Sequence, residues 1–320
     1  MRMFTVNKDK NKDFTVLNIA DPQIDYELWD GRATSFDTVR FTLGKIIPKV
    51  KPDMITMTGD FADEFGRELY DTIITYIDSF GIPWAPVMGN HDHEDGCDPY
   101  IVAEMLSETE HCLFEAGDPA LGCGHYTVAV EEDGRLVTAF IMMDSHHRKY
   151  ITDENGKEVR VNVPYSDGQY RWYESQVDAL RSIGCEDSTL VVHFPLYEYK
   201  YAWEAARRPR DGTSGPSETA SRWNAGYEDS LGTNYEPVEP LVEKSPMFEI
   251  AKRLGHTKNI LCAHDHGNAS SIVYEGIRLT YGLKTGSGGY FAGQNGAAVI
   301  TVGEKGVKSV RYEYVSLDGI

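Results

Sequence analysis

The amino-acid sequence predicts a layered α/β fold, because short apolar runs alternate along it with segments of helical periodicity. The runs are rich in β-branched residues and end in small or polar residues, as strands buried on both faces do. Six such strands are predicted, at residues 14–20, 54–58, 84–88, 136–143, 189–192 and 259–263.

Three helices are predicted between these strands. Residues 35–50 carry apolar side chains at helical spacing, and Ser35 is the predicted N-cap. Residues 69–80 repeat the pattern until Gly81 ends the helix. The third helix covers residues 169–183.

The C-terminal third changes character. Residues 271–281, 297–302 and 307–314 are separated by glycine-rich turns and are predicted to be antiparallel strands without helices.

Residues 197–244 form the longest stretch with weak periodicity, and they contain three clustered arginines, Arg207, Arg208 and Arg210. A loop of this length inside a compact domain is usually functional or disordered. We interpret it as a lid or substrate-facing insertion within a single domain spanning 1–320, with an unstructured surface excursion as the alternative.

Composition limits the partners. The 320 residues are 41% hydrophobic and carry a net charge of −19, which argues against a nucleic-acid partner. No stretch approaches the ~20 apolar residues of a membrane helix, and no secretory leader is evident. Five widely spaced cysteines indicate reduced thiols in a cytoplasmic protein rather than a thiolate metal site. The oligomeric state is left open.

Polar side chains follow five of the predicted strands directly. They are Asp21 and Gln23, Asp60, Asn90 with His91 and Asp92, His193, and His264 with His266. Because the carboxyl ends of strands in open α/β sheets face the ligand crevice, these groups are predicted to meet. Oxygen and nitrogen ligands without sulfur suit Mn²⁺, Fe or Zn²⁺. Each residue alone has a simpler reading, such as a turn-forming aspartate or a buried histidine; the set and its order favour a metal site.

The series D-x-Q, GD, GNHD, H and AHxH resembles the calcineurin-like metallophosphoesterase superfamily. The segments GIPWAPVMGNHDHE, VVHFPLYEY and LTYGLKTGSGGY extend the similarity to its purple-acid-phosphatase-related branch, from about Thr15 to the C-terminus. The resemblance implies a four-layer α/β/β/α sandwich of two mixed sheets flanked by helices. It also implies two divalent metal ions at the strand ends.

Carried over residue by residue, the resemblance assigns a metal ligand set. The first ion would be held by Asp21, Gln23, Asp60 and His266, and the second by Asn90, His193, His264 and the shared Asp60. Two cations ~3.5–4 Å apart bind phosphate oxygens and activate a bridging water as hydroxide. His91 would hydrogen-bond the phosphate or protonate the leaving oxygen, with Asp92 or Asp63 orienting it.

The expected function is hydrolysis of phosphomonoesters, on a small-molecule or protein substrate. Phosphodiesters or pyrophosphates are the alternative within the same chemistry, and a catalytically weak binding protein of the same fold is the alternative outside it. Gln23, where most of the superfamily has histidine, favours the last. Phe61 and Asp63 replace the tyrosine that colours purple acid phosphatases, so a purple ferric centre is not expected.

Other polar residues receive weaker predictions. Arginines 207, 208 and 210 and Lys284 are candidates for binding phosphate, although a solvated face is the default for the arginines. His93 and Glu94 are expected at the surface, with support of the metal ligands as the alternative. His146 and His147 are expected on a solvated loop, with substrate contact as the alternative. Asp144 and Ser145 are expected to support the site or to cap a strand end.

Overall fold

The computed structural model describes residues 3–29, 33–94, 96–209, 223–225, 230–240, 244–318 and 320. In chain order the strands are β1 (Met3–Asn7), β2 (Phe14–Ile19), β3 (Leu28–Trp29), β4 (Ala33–Thr34), β5 (Met54–Met57), β6 (Trp84–Pro86), β7 (Tyr126–Glu132), β8 (Arg135–Met142), β9 (Arg148–Thr152), β10 (Glu158–Asn162), β11 (Ser188–Val191), β12 (Arg207–Pro209), β13 (Trp223–Ala225), β14 (Leu231–Asn234), β15 (Thr257–Cys262), β16 (Asn268–Tyr274), β17 (Ile277–Tyr281), β18 (Gly296–Gly303) and β19 (Gly306–Tyr314).

The helices are α1 (Ser35–Val50), α2 (Arg67–Asp78), α3 (Pro99–Ser107), α4 (Asp167–Ser182), α5 (Glu198–Ala206) and α6 (Met247–Leu254). The predicted helix over 35–50 is confirmed, but its N-cap is Thr34 instead of Ser35. The Thr34 side chain accepts from the backbone N–H of Asp37, whose carboxylate accepts from the Thr34 N–H in return. This reciprocal pair satisfies two free N–H groups at the start of the helix.

Two mixed sheets form the centre of the fold. The larger has the strand order β1-β7-β8-β11-β15-β17-β16-β14, and the smaller has the order β19-β18-β2-β5-β6. Strands β2, β5 and β6 are parallel, and so are β8, β11, β15 and β17. Three two-stranded ribbons, β3–β4, β9–β10 and β12–β13, lie outside them.

Strand β8 shows how the layers stack, because its alternate residues enter two different cores. Phe140 and Met142 pack in a core with α1, α2, α3 and the smaller sheet. Ala139 and Ile141 pack in a second core with α4, α5 and α6. The larger sheet is therefore buried on both faces, and the fold is the four-layer α/β/β/α sandwich that was expected.

All six strands predicted from apolar runs are present, as β2, β5, β6, β8, β11 and β15. The prediction of one strand over 271–281 is wrong: the chain turns at Glu275 and Gly276, both with positive φ, to make the β16–β17 hairpin. Since β17 runs parallel to β15, the C-terminal third is not wholly antiparallel.

Residues 197–244 are not one irregular loop. They include helix α5, the β12–β13 ribbon, and β14, which pairs with β16 at the edge of the larger sheet. Arg210 lies outside the described residues. All five cysteines are free thiols. No helix in the described part of the chain is long and apolar enough to cross a bilayer.

Candidate metal centre

The ends of parallel strands from both sheets meet at one place. Asp21, Asp60 and Asn90 follow β2, β5 and β6 of the smaller sheet, whereas His193 and His264 follow β11 and β15 of the larger one. All five side chains are buried. The structure therefore brings together groups that are far apart in sequence, as the strand-end argument predicted.

The backbone at these strand ends is strained. Asp21, Gln23, Asp60 and His264 all have positive φ, with values of 44°, 38°, 55° and 77°. Non-glycine residues in this region cost on the order of 1–3 kcal/mol each, and such strain concentrates at functional sites. An added Cβ on Gly89 would lie 2.2 Å from Asp60 Oδ1, so only glycine allows this close approach.

His193 presents one ring nitrogen to the centre. Its Nδ1 donates to the Thr58 carbonyl at 2.7 Å, which fixes the proton there and leaves a lone pair on Nε2. Nε2 lies 3.1 Å from Asn90 Oδ1 and 3.5 Å from Asp60 Oδ2.

The Asn90 amide tests whether a cation fits here. The amide atom that faces His193 is also 3.0 Å from His264 Nδ1. As nitrogen it would donate to both imidazoles; as oxygen, the orientation in the structure, it faces lone pairs. Acceptors directed at one another repel unless a cation lies among them. A nitrogen in this position needs no cation, whereas an oxygen does. The fit to a divalent metal rests instead on Asp21, Asp60 and His193, whose ligand atoms lie within 4.8 Å of one another. We call Asp60, Asn90, His193 and His264 the His193 side.

Asp21, Gln23 and His266 form the opposite half, which we call the Gln23 side. His266 Nδ1 donates to the Tyr290 carbonyl at 3.0 Å, so its Nε2 is available to a metal. Gln23 differs: its Nε2 donates to Asp60 Oδ2 at 3.3 Å, while its Oε1 accepts from Lys284 Nζ at 3.1 Å. The oxygen predicted to bind metal is therefore directed to an ammonium group.

Lys284 is fully buried and also donates to the Asp21 carbonyl at 2.9 Å. Burial lowers the pKa of Lys284 to about 8, although the nearby charge of Asp21 opposes that change. The predicted role of Lys284 in gripping phosphate does not match this position, because its donors serve the protein interior.

His91 and Asp92 are adjacent in sequence but differ in their hydrogen-bond partners. His91 Nδ1 donates to the Asp63 carbonyl at 2.6 Å, leaving Nε2 available to a ligand. Burial acts to lower the pKa of His91, but the charge of Asp60 and the bond to Asp63 outweigh it and raise the pKa. Asp92 instead accepts from the backbone N–H groups of Gly89, Asp60 and Phe61 and from the Tyr70 hydroxyl. Its contacts brace the strand-end loops, and Asp63 is the residue that orients His91.

Burial shifts the pKa values of the candidate ligand side chains. Burial raises the pKa of Asp21 to about 6 and also raises the pKa of Asp60. Burial lowers the pKa values of His193, His264 and His266, so these rings are neutral, which is the form that binds metal. A divalent cation would relieve the cost of burying the two carboxylates.

A cleft of about 290 Å³ opens at this centre. The residues that line it come from both halves and from the surrounding loops: Gln23, Asp60, Asp63, His91, Arg148, Glu239, His264, His266, Gly289 and Tyr290. Four of these, Arg148, Glu239, Gly289 and Tyr290, were not singled out by the sequence analysis, although Glu239 lies in the segment 197–244 predicted to face substrate. Tyr290 stacks on His266 with ring centroids 4.0 Å apart. Its position in the TGSGGY segment, within the stated resemblance, was the available signal.

The expectation of surface positions for His93 and Glu94 is wrong. Glu94 is buried and bonded to Arg148, and His93 Nε2 lies 3.1 Å from the buried carboxylate of Asp144. Burial would raise the pKa of Glu94, but its hydrogen bonds and ion pairs with arginines lower it.

The neighbouring loop residues divide between support and exposure. Ser145 Oγ accepts from the N–H groups of His193 and Phe194. It therefore supports the site, which is one of the two roles expected for it. His147 is exposed as expected, whereas His146 is partly buried and hydrogen-bonds Gln169. Arg207 pairs with Glu204 on α5.

This sandwich, with carboxylate, carboxamide and imidazole side chains gathered at its strand ends, has the architecture of the metal-dependent phosphoesterases. A profile of calcineurin-like phosphoesterases matches residues 14–268, and the chain belongs to that family. Its metallophosphoesterase fold and its enzyme class agree with the sequence prediction.

Two relatives from one plant match most of this chain, and both are named inactive. A protein named probable inactive purple acid phosphatase 28, from Arabidopsis thaliana, is 24% identical over 302 residues, which cover 86% of this chain and 66% of that protein. Probable inactive purple acid phosphatase 29 of the same plant is 24% identical over 88% of this chain and 73% of its own length. A crystal structure of a dimetal phosphatase from Danio rerio superposes with a TM-score of 0.58 at 13% identity, covering 95% of this chain and 99% of that one. The last similarity concerns the fold alone.

Proposed function

We propose that this protein is a metal-dependent phosphatase that hydrolyses phosphomonoesters at the centre described above. The observation that carries the proposal is the convergence of acceptor atoms from Asp60, Asn90, His193 and His264 beside a cleft lined by His91. The ligand atoms of Asp21, Asp60 and His193 also lie within 4.8 Å of one another, close enough to share a divalent cation.

Bound cations would supply charge to the phosphate oxygens and a water of lowered pKa. The chain supplies the rest. Asp60, whose Oδ2 faces His193 on one side and Gln23 on the other, would be shared by the two halves. His91, held with its proton-bearing Nδ1 on Asp63, would carry a second proton on Nε2 to the leaving oxygen.

The metals are proposed to be Mn²⁺, Fe or Zn²⁺, bound unequally. The His193 side offers two imidazoles and the shared carboxylate. The Gln23 side offers Asp21, Asp60 and His266, while the Gln23 oxygen is bonded to Lys284. We therefore expect the first ion, on the Gln23 side, to be held less tightly.

The single-domain organisation, the role of residues 197–244 and a cytoplasmic location also remain proposals. A substrate-facing role for 197–244 is supported by Glu239, which lines the cleft, and by Glu236, which accepts from the Tyr290 hydroxyl at 2.9 Å.

A catalytically weak binding protein is the second candidate function. It is favoured by the Gln23–Lys284 contact, which draws a predicted ligand away from the centre. In that case the protein would bind cations and phosphate without turning esters over.

Exhaustive chelation followed by cation replacement tests the first proposal against the second. We expect hydrolysis of p-nitrophenyl phosphate to disappear on chelation and to return with Mn²⁺, with elemental analysis following bound metal in the same samples. Activity that persists in metal-free protein would contradict the metal-dependent mechanism. Reloaded protein that stays inactive would support the binding protein.

A further inference from the structure

Arg148 lies at the mouth of the metal centre. It begins β9, six residues beyond the end of β8, and its side chain lines the cleft with His91 and His264. Its Nη2 is 2.8 Å from the Asn90 side-chain nitrogen, a position that holds the amide oxygen, and so accepts from Nη2, when the amide is turned over. Among the described residues that line the cleft, Arg148 is the one with a permanent positive charge.

Glu94 holds this arginine in place. Glu94 Oε1 accepts from the backbone N–H of Arg148 at 2.8 Å and from its Nε at 3.3 Å, and Oε2 accepts from Nη2 at 3.0 Å. Arg160 from β10 binds the same Oε2. The guanidinium of Arg148 is therefore preorganised by a buried carboxylate, so little side-chain entropy is lost when it binds a ligand.

The cluster of Glu94, Arg148 and Arg160 retains free N–H donors and positive charge that a ligand could use. Two guanidinium groups against one carboxylate leave one positive charge uncompensated within Glu94, Arg148 and Arg160. Nη1 of Arg148 donates to no oxygen in the parts of the chain that are described, and the side chain is 19% exposed. A planar guanidinium with free N–H groups matches phosphate oxygens.

Substrate charge then decides how much Arg148 contributes. A phosphomonoester dianion has three terminal oxygens and two negative charges, whereas a diester has two terminal oxygens and one charge. In a site where cations bind terminal oxygens, the monoester has one more oxygen to offer to an arginine.

We propose that Arg148, positioned by Glu94, binds a terminal phosphate oxygen and makes the centre selective for monoesters over diesters. This inference rests on the proposed phosphatase function and assigns its preference for monoesters to one side chain. Arg148 contacts substrate, and Glu94 is a positioning residue that acts through it.

Arg148→Ala tests the contact in the cation-loaded protein, with inorganic phosphate as the probe. We expect phosphate affinity to fall about 10- to 100-fold, the range for a hydrogen bond to a charged group, with the bound metal unchanged. Arg253→Ala is the matched control, because Arg253 is ion-paired with Glu174 on α4, away from the cleft. Calorimetry with phosphate needs no turnover, so it judges this inference even if the phosphatase proposal fails.

Turnover gives a second readout. We expect Arg148→Ala to lower kcat/KM for p-nitrophenyl phosphate by a similar factor and for bis-p-nitrophenyl phosphate by less than about threefold. Added guanidinium should partly restore the monoester activity, which a merely structural defect would not allow. Arg148→Lys replaces the alanine variant if that one fails to fold, and a large loss is still expected because an ammonium lacks the planar fork.

Glu94→Gln should weaken phosphate binding less than Arg148→Ala, and it should add little in the double variant, since both changes act through one guanidinium. Unchanged phosphate affinity in Arg148→Ala, or equal losses on monoester and diester, would overturn the inference.

Discussion

The two halves of the candidate metal centre differ in which positive group compensates their buried acceptor atoms. On the His193 side, the Asn90 oxygen and His193 Nε2 face each other at 3.1 Å with no protein cation directly bonded to either atom among the described contacts. On the Gln23 side, Lys284 already donates to Gln23 Oε1. Asp60 Oδ2 faces both, at 3.5 Å from His193 Nε2 and 3.3 Å from Gln23 Nε2.

A buried lysine can therefore supply part of the positive charge that a metal ion would otherwise bring. A fixed ammonium needs no cation from solution, but it offers no coordination sphere and repels an incoming metal. The two halves are therefore expected to differ in affinity, even though they share one carboxylate.

The largest effect is expected where the halves join. Asp60→Asn removes the shared anion, so both metals and activity should be lost together, with at least a 10³-fold fall in kcat/KM, the order of a missing central group. Elemental analysis and phosphatase assays on the same sample measure this. A substitution of Gly89 is not a suitable control variant, because any side chain there would collide with Asp60. An Asp60→Asn protein that retains two metals would break the assignment of a shared ligand.

His91→Ala separates chemistry from metal binding. The ring is held by Asp63 and makes no bond to another ring of the centre in the described structure, so both halves should keep their metals. We expect kcat to fall roughly 10²- to 10⁴-fold, the usual effect of losing an acid–base group. His147→Ala, on an exposed histidine nearby, is the control and should behave as wild type. Loss of metal in His91→Ala would place His91 among the ligands.

The smallest effect is expected for changes on the Gln23 side, and it tests the difference in metal affinity between the two halves. Lys284→Met should raise Mn²⁺ affinity on the Gln23 side, on the order of tenfold, because a nearby positive charge is removed and Gln23 Oε1 is released. Gln23→His should tighten the same half and shift its preference towards Zn²⁺ or Fe²⁺. Titration calorimetry on metal-stripped proteins measures both, with Lys258→Met as a control on an exposed lysine. Two sites of equal affinity in the wild type, unchanged in both variants, would contradict the proposed difference in metal affinity between the halves.

Sequence patterns predicted the strands that carry the candidate ligands because each is a continuous apolar run buried on both sides, as in residues 54–57 and 188–191. They missed β9 and β10, which are mostly exposed and owe their shape to pairing with each other. Helix α5 was missed because its apolar stripe is short and lies inside a polar segment. The β16–β17 hairpin was read as one strand because its turn interrupts the apolar run only briefly.

In the site, sequence could place residues at strand ends but not orient their side chains. The contact of Lys284 with Gln23 joins residues 261 positions apart, and no local pattern reports it. Arg148 follows a strand without a motif of its own, and its role depends on Glu94, whose burial the sequence did not reveal. Asp92 was assigned to the chemistry because it adjoins His91, yet its acceptors all turn to the loop backbone and Tyr70.

The proposed ligands come from both sheets: Asp21, Asp60 and Asn90 follow strands of the smaller one, and His193 and His264 follow strands of the larger one. A cation bound by both sets is thus a reversible cross-link between the two central layers. Its contribution to folding follows mass action, about 2.7 kcal/mol when free metal exceeds its dissociation constant 100-fold. The lifetime of the folded chain against proteolysis is in this way coupled to the supply of metal around it.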